Sequence, residues 1–290
     1  MIKKGIILAG GLGTRMSPLT KAVNKQLLPL YDKPLIFYPL SILMLAGIRK
    51  ILIIVNKGQL NQFKKILPEN NNLGISIEYK EQIKPEGLPQ AFSIGEKFIG
   101  RDSVSLILGD NFFYGQSLTK ILKKSINLKS GAKIFIHPVR NPNSYGVATL
   151  NKYQKVVNLV EKPKKTLSNF AVTGLYFFDN KVIELTKKLK PSKRGELEII
   201  DLLNIYRKKN KLKAEYIGRG GSWLDTGNVK DFYDASNFIS SIENRQGLKI
   251  ACLEEIALNN NWINKKQLKN AIDFYGNCNY SKYLKSLIDA

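Results

Sequence analysis

Four short apolar runs confine this chain to a narrow set of folds: Gly5-Ile6-Ile7-Leu8-Ala9, Lys50-Ile51-Leu52-Ile53-Ile54-Val55, Val104-Ser105-Leu106-Ile107-Leu108 and Ala132-Lys133-Ile134-Phe135-Ile136. Continuous apolar runs of this length read as strands buried on both faces. Between them lie amphipathic stretches at 35–46, 59–66, 88–98 and 116–128 that read as helices. That β, α, β, α order predicts an α/β protein, a Rossmann-like and mostly parallel sheet flanked by helices. From about 145 to 178 strand follows strand (147–150, 155–161, 171–178), which predicts a small inserted antiparallel sheet. Helical patterning returns at 179–189, 197–209 and 229–242, and a C-terminal segment from Cys252 to Ile288 reads as helix with frequent breaks. Residues 1–240 are expected to form the main domain. Residues 241–290 are expected to be a helical extension packed on it or at a subunit interface.

Composition narrows the function classes. With 290 residues, 43% of them hydrophobic, the chain can bury a large core in one domain or two unequal ones. No stretch approaches the roughly 18 consecutive apolar residues of a membrane span, and the first residues open into a strand instead of a signal peptide. A cytoplasmic address with no membrane partner is expected. Cys252 and Cys278 lack metal-ligand spacing, so neither a disulfide framework nor a zinc site is expected, and the Asn279-Tyr280-Ser281 sequon reads as accidental.

The net charge of +23, from 46 Lys+Arg against 23 Asp+Glu, invites a nucleic-acid partner. Arginine, however, occurs only at 15, 49, 101, 140, 194, 207, 219 and 245, and the lysines are scattered along helix faces such as 120–124 and 186–190. A nucleic-acid footprint is a clustered patch with readable motifs. No nucleic-acid surface is therefore expected, and small polyanionic substrates fit better.

The first apolar run leads into Gly10-Gly11-Leu12-Gly13-Thr14-Arg15. It is not a dinucleotide fingerprint, because position 16 is Met and the second strand ends at Asn56 where an acidic residue would meet a ribose. A P-loop is excluded because no Gly-Lys-Ser/Thr follows and Pro18 would disrupt a helix starting there. Glycines at 10, 11 and 13 let backbone N–H groups approach an anion, Thr14 can donate a hydroxyl, and Arg15 and Lys25 add fixed positive charge. The loop reads as a polyphosphate cradle, with a plain turn carrying a solvated arginine as the bland alternative.

At this point the residues carry a resemblance. "LAGGLGTRMSPLT" (8–20), "LLPLYDKPLI" (27–36), "GLPQAF" (87–92), "LILGDNFFYG" (106–115), "YGVATL" (145–150), "LVEKPK" (159–164), "AVTGLYFFD" (171–179), "RGELEIIDLLN" (194–204), "SWLDTGN" (222–228) and "RQGLKIACLEEIA" (245–257) together resemble the sugar-1-phosphate nucleotidyltransferases over nearly the whole chain. In detail they resemble those using dTTP and glucose 1-phosphate. The resemblance implies transfer of a thymidylyl group to glucose 1-phosphate, with magnesium (Mg2+), giving dTDP-glucose and pyrophosphate. The same reaction with UTP or another hexose 1-phosphate stays open, since one methyl is worth only about 1–3 kcal/mol of discrimination. A basic nucleic-acid-binding or regulatory protein on an inactive enzyme fold is the alternative from another class.

Such a transfer is in-line attack on the α-phosphorus, so alignment and charge stabilisation dominate. Asp110 stands at the carboxyl end of its strand, the edge at which open α/β sheets bind ligands, and Asp225 follows Trp223-Leu224 in the same manner. Two hard carboxylates leave magnesium positions for water and phosphate oxygens. The bland readings are a turn-forming Asp110 and an Asp225 that caps the helix near 229. By the resemblance Arg15 would hold the leaving pyrophosphate, Lys25 would neutralise charge between the reacting groups, and Lys162 would grip the sugar phosphate. The nucleotide would meet Leu8, Gly10, Gly11, Gly13, Thr14, Arg15, Lys25, Gln26 and Asp110, its base read by Gln82 and the Gly87 backbone. The sugar phosphate would meet Asn111, Tyr145, Gly146, Glu161, Lys162, Val172, Tyr176 and Arg194. Glu161 and Lys162 are adjacent and need a strand end, supplied by Pro163, to face one partner. For Arg194 a plain surface charge stays open.

Pro89 replaces a small residue, Gly221-Ser222 replaces a Tyr-Ala pair, and "RNPNSYG" (140–146) lacks the family's acidic residues, so rim contacts depart from the pattern while the phosphate and metal positions do not. His137, the sole histidine, reads as packed instead of catalytic. By the same resemblance, family members with this tail being homotetramers, a homotetramer with a dTDP-sugar feedback effector near a subunit interface is expected.

Overall fold

The structure is a computed structural model and describes residues 1–289; residue 290, the last of the expected extension, lies outside them. In chain order the strands are β1 (Lys4–Ala9), the short pair β2 (Pro29–Leu30) and β3 (Lys33–Pro34), β4 (Lys50–Asn56), β5 (Ser76–Gln82), β6 (Val104–Leu108), β7 (Asn111–Gly115), β8 (Ala132–Pro138), β9 (Gly146–Leu150), β10 (Val156–Glu161), β11 (Phe170–Phe178), β12 (Leu212–Tyr216) and β13 (Gly221–Asp225). Among the described residues nine of them form one sheet, ordered β10-β9-β11-β6-β1-β4-β5, with β8 between β11 and β12. The four strands β6, β1, β4 and β5 are parallel, in a register that places Ile7 beside both Ile53 and Ile107.

The alternation of side chains along each strand builds two cores. Ile7, Ala9, Ile51, Ile53, Val55 and Ile107 face one side, where they meet the helix Phe37–Leu45 and the C-terminal residues Leu253, Ala257, Leu268 and Leu284. Ile6, Leu8, Leu52, Ile54 and Leu106 face the other, against Phe92, Ile99, Leu202 and Leu203. Phe37–Leu45 is buried nearly all round because the tail covers its outer side. The expected helix at 88–98 is two pieces, Gln90–Ile94 and Glu96–Ile99. They join at Gly95, where a side chain would lie 2.9 Å from Ile6 Cδ1. Among the described residues the tail is three helices, Leu253–Asn259, Lys265–Tyr275 and Asn279–Asp289, the last two separated at Gly276.

The antiparallel strands expected after residue 145 are present and are hydrogen-bonded onto the main sheet through β11. That strand pairs β8 along one edge and divides its other edge, residues 175–178 pairing with β6 and residues 170–171 with β9. The sheet therefore splays open beside Val172, Thr173 and Gly174, next to the carboxyl end of β6. A second ribbon, β7 with β13, lies across this opening and pairs Asn111 with Asp225.

Candidate active site

The opening in the sheet is a cavity of about 340 Å³, walled by the ends of β1 and β6, by β7, β9, β10, β11 and β13, and by the start of the helix Ile199–Lys208. Of the residues singled out in the sequence, Leu8, Gly10, Arg15, Gln26, Asp110 and Asp225 line one part of it. Asn111, Tyr145, Gly146, Glu161, Lys162, Val172, Tyr176 and Arg194 line the other. Gly11, Gly13, Thr14, Lys25, Gln82 and Gly87 stand behind or beside that wall instead of on it.

The glycine loop is held from behind. Asn56 at the end of β4 donates through Nδ2 to the Gly11 carbonyl (2.8 Å) and accepts the Gly11 N–H on Oδ1 (2.8 Å). Asn24 Nδ2 reaches the Ala9 carbonyl (3.3 Å), and its Oδ1 accepts the Gln26 N–H (2.8 Å). Gly10 is glycine because Gln82 lies against it: a Cβ there would sit 2.2 Å from Gln82 Oε1. The Gln26 side chain is buried at the wall of the cavity, and its Oε1 has no partner among the described residues. A buried amide oxygen without a partner calls for a donor from outside the chain.

Asp110 lies two residues past the end of β6, its carbonyl held by the Thr226 hydroxyl (2.8 Å) and N–H (3.1 Å), which fastens the segment after Asp225 beside it. Lys25, 6% exposed, donates from Nζ to Asp110 Oδ2 at 2.7 Å, and Asn111 Nδ2 donates to Oδ1 at 3.0 Å. Burial alone would raise the Asp110 pKa, but the charge and hydrogen bond of Lys25 outweigh it and hold the carboxyl below its ordinary range. Asp225 differs. Among the described residues no side chain donates a hydrogen bond to it, and burial together with the Asp110 charge pushes it up to about 7, against the weaker pull of Lys25 and Arg15. The Arg15 guanidinium and the Asp225 carboxylate both lie 3.2 Å from where a Cβ on Gly227 would stand. Asp225 is not the cap of the following helix: Asn228 caps Val229–Gln246, accepting the Asp231 N–H at 3.0 Å.

On the other side Asn111 organises the gap in the sheet. Its Oδ1 accepts the Gly174 N–H left free by the splayed β11 (2.9 Å) and the Trp223 indole N–H (2.6 Å). Tyr145 packs edge-on against Trp223. Lys162 has a left-handed backbone (φ 42°) with its N–H on the Tyr145 carbonyl (3.0 Å), and both Lys162 and Glu161 reach the cavity. The strand end expected from Pro163 comes at Glu161, the last residue of β10, and the chain turns at Lys162. Burial, then Glu198, raises the Glu161 pKa, partly offset by Lys162 and Arg194. Arg194, about half exposed, lies 3.6 Å from both Glu161 and Glu198 at the rim of the cavity.

Asn56, Asn24, Gln90, Trp223, Gly174 and Glu198 are site residues that sequence reasoning did not assign. Gln90, Gly174, Glu198 and Trp223 stand inside the quoted motifs, and that is the only signal for them. His137 is half-buried on β8 with Nδ1 unpartnered and does not line the cavity.

The sequence profile of the nucleotidyl transferase family matches residues 4–242. A glucose-1-phosphate thymidylyltransferase of Neisseria meningitidis serogroup A is 50% identical over 98% of this chain and 99% of its own length. One of Mycolicibacterium smegmatis is 47% identical over 99% of each. Among solved structures, a Bacillus anthracis protein assigned as a glucose-1-phosphate thymidylyltransferase and crystallised with a sucrose superposes with a TM-score of 0.75 at 38% identity, covering 81% of this chain and 94% of that one. A UDP-glucose pyrophosphorylase complexed with UDP-glucose superposes with a TM-score of 0.72 at 28% identity, covering 83% and 100%. Among the described residues no helix is long and apolar enough to cross a membrane.

Proposed function

This chain belongs to the nucleotidyl transferase family, and we propose that it transfers a thymidylyl group from dTTP to glucose 1-phosphate, releasing pyrophosphate and forming dTDP-glucose. The observation that carries this reading is one cavity, in a chain 50% identical to a thymidylyltransferase, that gathers Arg15, Asp110, Lys162 and Asp225 from four separate segments. A phosphate oxygen of the sugar attacks the α-phosphorus of the nucleotide in line, and the bond to the β-phosphate bridging oxygen breaks. Arg15, on the cradle, holds the leaving pyrophosphate. Lys25, paired with Asp110, offsets charge as it develops between the two phosphates. Lys162 meets the sugar phosphate, and Glu161 accepts from sugar hydroxyls.

Asp110 and Asp225 fit a magnesium ion. Asp225 is a half-buried carboxylate whose neighbour is another carboxylate, an arrangement relieved by a divalent cation. Among the described residues no cluster of three or more His, Cys, Asp or Glu forms a cage, which suits an ion that keeps water and phosphate oxygens around it. When bound it would neutralise phosphate charge at the α-phosphorus.

The likeness to a UDP-glucose pyrophosphorylase at 28% identity keeps UTP as the second nucleotide to try. The test is magnesium-dependent pyrophosphate release from dTTP with glucose 1-phosphate, beside UTP and an Asp110→Asn control. Release with dTTP that disappears in the variant supports both the reaction and the metal role. Faster turnover of UTP would replace the nucleotide, and silence with both would overturn the reading.

A further inference from the structure

Gln82 lies at the end of β5 with its side chain buried against the glycine loop, and an amide can face a nucleobase in either of two ways. Turned one way it offers a carbonyl oxygen, turned the other an N–H. Here its orientation follows from its neighbours. Exposed Glu86 is a carboxylate and can only accept, so the Gln90 nitrogen must face it (Nε2 to Oε2, 2.8 Å). That leaves Gln90 Oε1 as an acceptor, and it takes both the Glu86 backbone N–H (3.1 Å) and Gln82 Nε2 (2.5 Å). Gln82 is thereby turned with its nitrogen toward Gln90 and its Oε1 toward Gly10, the glycine on the cavity wall. The segment itself is braced: the Leu197 N–H donates to the Glu86 carbonyl (2.8 Å), and Gly87 (φ 109°) approaches Leu197 so closely that a Cβ would lie 2.1 Å from its carbonyl oxygen.

We propose that Gln90, held by Glu86, is a positioning residue that fixes the Gln82 amide with its oxygen toward the nucleotide, so that the site selects a pyrimidine whose ring N3 carries a hydrogen over one whose N3 is a lone pair. Thymine and uracil have that N–H; cytosine presents a bare N3 beside an amino group. This rests on the reading that the base lies against Gln82. A site built to hydrogen-bond one edge rejects the mismatched edge because buried partners are left unsatisfied.

The experiment measures binding of dTTP, UTP and dCTP by calorimetry, without sugar phosphate, and pyrophosphate release in parallel, for the wild type, Gln90→Leu, Glu86→Gln and the double variant Glu86→Gln/Gln90→Glu. The wild type should favour dTTP and UTP over dCTP by about tenfold or more, and Gln90→Leu should bring that ratio close to one by freeing the Gln82 amide to turn. Glu86→Gln should lower the ratio less. The double variant should restore it, because a carboxylate at position 90 accepts both from Gln82 and from the amide introduced at position 86. An unchanged ratio in Gln90→Leu, with all three nucleotides weakened together, would show a merely structural residue and overturn the proposal. So would a wild type that binds nucleotides without distinguishing dCTP, or one that binds none. Discriminating binding without pyrophosphate release would instead overturn the proposed reaction and leave this inference standing.

Discussion

Two lysine–carboxylate groups draw on the same two segments of this protein, residues 24–36 and 225–250, the second with Asp110 added, and they differ in charge balance. In the first, Lys33 and Lys249 each bond both Asp32 and Glu243, and the Ile250 N–H adds a bond to Glu243 Oε1 (2.8 Å). Two cations meet two anions, and the group fastens the β2–β3 hairpin to the end of the helix Val229–Gln246. Lys249, although burial lowers its pKa, ends above its ordinary value because Asp32 and Glu243 both accept from it. In the second, Lys25 meets Asp110, Asp225 stands beside them, and the group has one more carboxylate than it has paired cations. A closed group needs nothing further and reads as scaffold. An open one has room for a positive ligand and reads as chemistry.

The sharpest way to break this comparison is to neutralise one member of each group. Asp225→Asn should leave the fold intact and lower pyrophosphate release by roughly 10³-fold, about 4 kcal/mol of transition-state stabilisation. Retained activity would remove Asp225 from the site. Glu243→Leu should behave in the opposite way, because it leaves Lys33 and Lys249 sharing Asp32 in a buried place. A loss of about 3 kcal/mol is expected, read as a melting temperature lower by roughly 6–10 °C, with turnover at 25 °C within about threefold of wild type. A silent enzyme with an unshifted melting curve would mean that this closed group too is chemistry.

The sequence disclosed these groups unequally. Asp110 was legible because it follows an apolar run that ends at the carboxyl edge of a parallel sheet, where ligands gather; Asp225, which follows Trp223-Leu224, looked the same in the sequence but ends a strand of the antiparallel β7–β13 ribbon. The alternation that turns Ile6, Leu8, Leu52 and Ile54 to one side of the sheet could be read only as burial on both faces; which face met the tail could not. Asn56 shows the limit. Measured against a dinucleotide site it is a missing acidic residue, yet in the fold it makes both hydrogen bonds that hold Gly11, 45 residues away. Trp223 and Asn111, which meet across 112 positions, are likewise set by sheet pairing and not by any local pattern. Lys162 is legible as a cation but not as a residue with φ 42°, since lysine carries no preference for that conformation.

The smallest effect separates the two groups without reference to activity. Burial and the Asp110 charge raise the Asp225 pKa from 3.8 in the unfolded chain to about 7 in the folded protein. The folded state therefore holds that proton more tightly, and the stability this provides is complete below pH 3.8 and is lost as pH rises through about 7. Asp225→Asn abolishes this titration. Its stability relative to wild type should rise across that window and reach a gain of about 1–2 kcal/mol above neutrality, a few degrees in melting temperature. Magnesium added at pH 8 should raise the wild-type melting temperature and leave that of Asp225→Asn nearly unmoved, since only a ligand that binds the folded state stabilises it. Parallel pH profiles for the two proteins would mean that Asp225 ionises freely in the folded state and that its group is as closed as the one around Lys33.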